Sequence, residues 1–135
     1  MRLFLDANVL FTAAHNPGGK AALVIELGAR GCWELYSSFY ALEEARRNLE
    51  RKFPNCLDDL TKLQQEIHLV EHQADLAFPD GLVPKDRPIF QAALACRATH
   101  LLTGDLKDFG AFMNQADKTF DVCIQTVAEL LSQMR

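Results

Sequence analysis

Short solid apolar runs alternate along this chain with longer stretches in which apolar residues recur at helical spacing. Arg2-Leu-Phe-Leu5 is one such run, ending at Asp6, and it predicts a buried strand. Asp6 to Asn8 then open a helix over 9–14, and Asn16-Pro-Gly-Gly19 forms a loop by its turn residues. A second helix is predicted over 20–30, with Leu23, Leu27 and Arg30 on one side and Gly31 as its stop. Residues 33–36 predict a second strand. Ser37 or Ser38 caps the helix that follows, which runs to about Lys52 and stops short of Pro54. Leu42, Ala45, Leu49 and Phe53 give that helix its apolar stripe.

The second half repeats the alternation. Residues 57–65 predict a helix, and 66–71 alternate polar and apolar as an edge strand would. Residues 78–84 form a loop rich in Pro, Asp and Gly. A helix over 88–98 keeps Phe90, Ala93, Leu94 and Arg97 in register. An apolar strand over 99–103 ends in the turn Gly104-Asp105, and a last strand (121–124) leads into a last helix (126–134). Strands alternating with helices predict an α/β fold, a parallel sheet with helices on both faces.

Composition narrows this picture. A length of 135 residues fits one domain spanning 1–135, and 49% hydrophobic with 24% charged residues is an ordinary soluble balance. No apolar run approaches the roughly 20 residues that span a bilayer, so no membrane partner is expected. The aspartate inside MRLFLDANVL makes that segment a core strand in preference to a signal peptide. Cys32, Cys56, Cys96 and Cys123 form no CxxC pair, which points to reduced thiols and a cytoplasmic location. The formal net charge of −4 argues, by itself, against binding a polyanion. That objection weakens if about four of the acids hold divalent cations, since the remainder of the chain is then neutral and the global charge neither supports nor excludes a polyanionic substrate.

Several acids fall where open parallel sheets bind ligands, beyond the carboxyl ends of the strands. Asp6 ends the first strand and Asp105 follows the strand over 99–103. Asp86 opens the helix before that strand, and Glu44 lies early in the helix after the second. Carboxylates pressed together repel and partly protonate. Mg²⁺ or Mn²⁺ resolves the conflict, because hard cations take oxygen ligands, and a cation so held serves phosphodiester chemistry. Each acid also has a plain reading. Asp6, Asp86 and Asp105 precede helices and suit N-caps, Glu44 suits a solvated helix face with Glu43 as its rival, and Asp108 suits a first helical turn.

Four segments resemble the motifs of the PIN-domain family. Asp6-Ala-Asn-Val-Leu10 after an apolar strand looks like its opening motif. SFYALEEARRNL, Ser38 to Leu49, is similar to its second motif, whose register selects Glu44 over Glu43. The third is Lys85-Asp-Arg-Pro-Ile-Phe-Gln-Ala-Ala-Leu94, with Asp86 as its aspartate. The fourth is Leu101-Leu-Thr-Gly-Asp-Leu-Lys-Asp-Phe109, which supplies Thr103, Asp105 and Asp108. The resemblance runs over nearly the whole chain and is weakest between Pro54 and Pro84.

That resemblance implies a five-stranded parallel sheet of order 3-2-1-4-5 and Mg²⁺- or Mn²⁺-dependent cleavage of RNA by water. Many bacterial members are VapC-like toxins of toxin–antitoxin pairs, so a small antitoxin protein is an implied partner and a homodimer the implied assembly. Asp6, Glu44, Asp86 and Asp105 would hold the metal and carry catalysis, with Asp108 as an additional ligand. Asn8 and Thr103 would orient carboxylates. Lys20, Arg46, Arg47, Lys85, Arg87 and Lys107 would contact phosphates, their plain reading being a solvated face.

Three other readings compete. His68-Leu-Val-Glu-His72 matches the HxxEH pattern of inverted zinc proteases, but the alternation around it favours a strand. The domain could be a non-catalytic interaction module that keeps its acids as caps. It could also cleave DNA, since no aromatic platform is visible in the sequence to separate RNA from DNA.

Overall fold

The computed structural model describes residues 1–134. Five strands and seven α-helices alternate: β1 (Arg2–Leu5), α1 (Ala7–His15), α2 (Lys20–Ala29), β2 (Glu34–Ser38), α3 (Phe39–Lys52), α4 (Leu57–Gln64), β3 (His68–Val70), α5 (Arg87–Ala95), β4 (His100–Leu102), α6 (Leu106–Phe109), β5 (Cys123–Gln125) and α7 (Val127–Ser132). The strands form a single sheet in the order β3-β2-β1-β4-β5. Every pairing is parallel. The α/β class and the strand order are therefore those the sequence led us to expect.

β1 is the central strand, and Leu3, Phe4 and Leu5 are all fully buried. Consecutive strand residues point to opposite faces, so burial of all three requires cover on both sides of the sheet. Leu10, Val24, Ile25, Leu49, Phe90 and Leu101 provide it from the helices and the neighbouring strand.

Register is what positions the site. Leu5 pairs with Leu102, which leaves Asp6 and Thr103 as the next residues off two adjacent strands. Asp6 N–H still donates to the Leu102 carbonyl at 3.0 Å, and Thr103 N–H to that of Gln125 at 3.0 Å. Ser38 ends β2 at the same edge, and its hydroxyl caps α3 by accepting from Ala41 N–H.

Several boundaries differ from the sequence expectation. The helix expected over 88–98 ends at Ala95, because Arg97 adopts φ 56° and closes a left-handed turn, with Arg97 N–H donating to Leu94 O and Ala98 N–H to Ala93 O. The last strand starts at Cys123 and not at Asp121, since Phe120 and Asp121 also have positive φ. The edge strand expected over 66–71 shortens to three residues, His68–Val70. His68 lies on this strand and His72 beyond it, so the two do not share a helical face. His72 Nε2 lies 2.7 Å from Gln91 Oε1, and the zinc-protease reading fails on this geometry.

Candidate active site

Asp6 serves two ends at once. Its Oδ1 accepts from Ala7 N–H at 2.7 Å and caps α1. Its Oδ2 accepts from the Thr103 hydroxyl at 2.8 Å and from Asn8 Nδ2 at 3.2 Å. Asn8 reaches Thr103 Oγ1 as well, at 3.2 Å, and its Oδ1 accepts from Gly104 N–H at 2.7 Å. Thr103 Oγ1 accepts in turn from Asp105 N–H at 3.0 Å. This knot ties the end of β1 to the end of β4. It leaves Asp6 only 3% exposed. Burial raises its pKa to about 6; hydrogen bonds from Thr103 and Ala7 oppose the rise, and the charges of Glu44 and Asp105 add to it.

Asp86 closes a short 3₁₀ turn, Pro84–Asp86, ahead of α5, yet its side chain makes no capping bond. Its Oδ2 is buried and has no hydrogen-bond partner among the described residues. A carboxylate oxygen in that state is expensive, and the pKa responds by rising to about 7. Burial is the main cause. Next comes the Asp108 carboxyl, to which a protonated Asp86 donates; Lys85 opposes the rise, while Asp6 and Asp105 reinforce it.

Asp105 Oδ1 caps α6 by accepting from Asp108 N–H at 3.1 Å. Asp108, in the first turn of α6, holds Lys85 Nζ at 3.0 Å, and that bond keeps its carboxyl below the usual range. Asp86, Asp105 and Asp108 each offer an oxygen, all within 4.8 Å of one another. Two oxygens across a hard divalent cation lie roughly 4–5 Å apart, given metal–oxygen distances of about 2.0–2.6 Å. The all-oxygen donor set and the orphaned Asp86 Oδ2 both fit such a cation.

Of the other anticipated acids, Asp6 and Glu44 stand outside this triple and border it. Glu44 is half-buried on α3 and close enough for its charge to act on Asp6. Glu43 turns to solvent, where Arg46 clasps it with bonds of 2.6 and 3.0 Å. Capping, the plain reading of the aspartates, is thus real for Asp6 and Asp105 but absent for Asp86.

The basic residues scatter. Arg46 spans Glu43 and Glu50, and Arg47 comes within 4.0 Å of Glu43. Arg87 donates to Leu82 O at 2.9 Å and lies over the Phe78 ring. Lys85 is engaged by Asp108, and Lys107, in α6, is exposed. Lys20 lines an open cleft of about 370 Å³ that it shares with Asn8, Thr103, Gly104 and the start of α7. One neighbour of the acids had escaped the sequence reading. Tyr40 donates its hydroxyl to the Lys85 carbonyl at 3.0 Å. Its spacing of four residues from Glu44 was the available signal, since such pairs share a helix face.

A five-stranded parallel sheet of order 3-2-1-4-5 with carboxylates gathered at its carboxyl edge defines a PIN-like domain. Solved structures agree on the fold. A chain in the crystal structure of VapBC2 from Rickettsia felis, bound to a DNA fragment from their promoter, superposes with a TM-score of 0.65 at 15% identity, covering 93% of this chain and 98% of that one. A chain in the structure of VapBC-1 from nontypeable Haemophilus influenzae superposes with a TM-score of 0.57 at 15% identity, covering 95% of this chain and 99% of that one. The fold is that of a VapC-like PIN domain. No family model matches the sequence, and no curated protein does.

Proposed function

We propose that this chain is a metal-dependent endoribonuclease that hydrolyses RNA phosphodiester bonds, acting as the toxin of a toxin–antitoxin pair. The observation that carries the reading is Asp86, which keeps one buried oxygen without a partner among the described residues and whose carboxylate converges with those of Asp105 and Asp108 at the carboxyl edge of a PIN-like sheet. Asp86, Asp105 and Asp108 would hold Mg²⁺ or Mn²⁺, with Asp6 and Glu44 contributing directly or through water. Bound there, the ion supplies positive charge against a phosphodiester and makes water easier to deprotonate. The chain's own work is positional. Thr103 and Asn8 fix the Asp6 carboxylate, and the α6 cap fixes Asp105. Lys85 balances one acidic charge, and of the six basic residues anticipated for phosphate contact Lys20 and Lys107 show no ion pair or side-chain hydrogen bond among the described residues.

The assembly belongs to the same proposal. The two similar structures described above are VapBC structures, which supports a small antitoxin as partner; a cytoplasmic location and a homodimer of this chain complete the proposal, the homodimer by analogy with the common two-fold symmetry of oligomers.

The decisive variant is Asp86→Asn. Cleavage of single-stranded RNA by wild type should require Mn²⁺ or Mg²⁺ and stop in excess EDTA. Asp86→Asn should lose cleavage while melting, metal-free, at least as high as wild type. The gain should be roughly 0.5–2 kcal/mol, because an amide in place of the orphaned oxygen removes a like charge and offers Asp108 a donor. Undiminished cleavage in EDTA, or an active Asp86→Asn, would overturn the reading.

A further inference from the structure

We propose that Tyr40 is a stacking platform for an unpaired base of the substrate; this rests on the nuclease reading above. Three observations converge on the ring. Tyr40 as a residue is 39% exposed, although tyrosine has a large apolar surface to bury. It is held in place at both ends, by the first turn of α3 and by the hydroxyl bond to the Lys85 carbonyl, one residue from Asp86. It also shares a helix face with Glu44, so it stands at the rim of the acids and not on a remote surface.

The chemistry follows from that placement. The ring is fixed without being covered, so a stacked base adds contact at little cost in side-chain freedom. A base can reach it only when unstacked from its neighbours, as in a loop, bulge or single strand. The bases of a duplex are engaged with each other and leave the ring bare. Stacking is also tolerant of sequence, since every base has a π-face. Tyr40 is therefore a positioning residue for the strand, and no part in proton transfer is assigned to it.

The test is steady-state cleavage with Mn²⁺ of a fluorescein-labelled, mixed-sequence 20-mer oligoribonucleotide, alone and annealed to its complement. Wild type, Tyr40→Phe, Tyr40→Trp and Tyr40→Ala are compared. Base–aromatic stacking is worth about 1–3 kcal/mol, so Tyr40→Ala should raise KM by roughly 5- to 150-fold with kcat within about threefold. Tyr40→Phe and Tyr40→Trp should stay near wild type, and the single strand should be preferred to the duplex. If Phe and Trp lose as much as Ala, the hydroxyl only braces the turn before Asp86 and the inference fails. If Ala cleaves like wild type, or the duplex is cut as well as the single strand, it also fails, and the ring is left as a contact for a protein partner. In both cases an active wild type keeps the nuclease reading intact. A wild type that cuts neither strand with metal sinks that reading, and this inference with it.

Discussion

Adjacent acids on one helix show how much a single position decides. Glu43 and Glu44 differ by about 100° in direction, so they cannot both face the acid cluster. In the structure Glu43 is spent on Arg46 in solvent, and Glu44 is half-buried within range of Asp6. We therefore expect Glu44→Gln to weaken Mn²⁺ binding and remove most cleavage. Glu43→Gln should keep a large fraction of both. Parallel Mn²⁺ titrations, with rates taken at saturating metal, check this; a dead Glu43→Gln would shift the second motif by one residue. The residue scale also separates aspartates that looked equivalent in the sequence. Asp6 and Asp105 each commit an oxygen to a cap, whereas Asp86 keeps one with no partner among the described residues.

At the scale of the element, helix ends carry the site and also some strain. α5 stops in a Schellman-type turn whose left-handed position is filled by the exposed Arg97, at φ 56°. A side chain there costs about 1 kcal/mol relative to glycine. Arg97→Gly should therefore stabilise the protein by about 0.5–1 kcal/mol in urea unfolding, with no change in metal affinity, since the turn lies at the far end of α5 from Asp86. Destabilisation instead would mean that Arg97 contributes contacts outweighing its backbone strain. The acids sit at the opposite kind of end. Asp6, Asp86 and Asp105 occupy helix starts, where N–H groups point outward and negative charge is favoured.

The whole molecule couples these local costs to pH. In the metal-free protein Asp6 and Asp86 have pKa values of about 6 and about 7, against roughly 3.9 in the unfolded chain. Between about pH 4 and 7 the folded state thus binds more protons than the unfolded one. Its stability must fall as pH rises through 6 and 7. His100 acts in the other direction, because burial lowers its pKa. Two carboxyls outweigh it, and metal-free stability should be higher at pH 5 than at pH 7.5, by on the order of 1–3 kcal/mol. Saturating Mn²⁺ should reverse the order, raising the melting temperature more at pH 7.5 than at pH 5, where protons compete for the same oxygens. Thermal melts at both pH values, with and without Mn²⁺, test both halves. A metal-free protein that loses stability on acidification from 7.5 to 5 would contradict the raised carboxyls.

The sequence by itself determined the class of fold and where along the chain the acids would come. Apolar runs and helical stripes are local periodicities, readable without knowing what packs against what, and they located β1, α3 and α5 to within a few residues. Boundaries set by backbone sign, as at Arg97, Phe120 and Asp121, were not legible, since none of these residues demands positive φ. The tertiary structure alone decided which acids converge. Asp86 closes the turn before α5 and Asp108 lies in α6, and only the tertiary approach of that turn to α6 brings their carboxyls together, with Lys85 paired to Asp108. The same packing set Tyr40 beside that turn, a neighbour 45 residues away along the chain. Long-range proximity is a property of the packed sheet and its helices, and no pattern along one strand or helix encodes it.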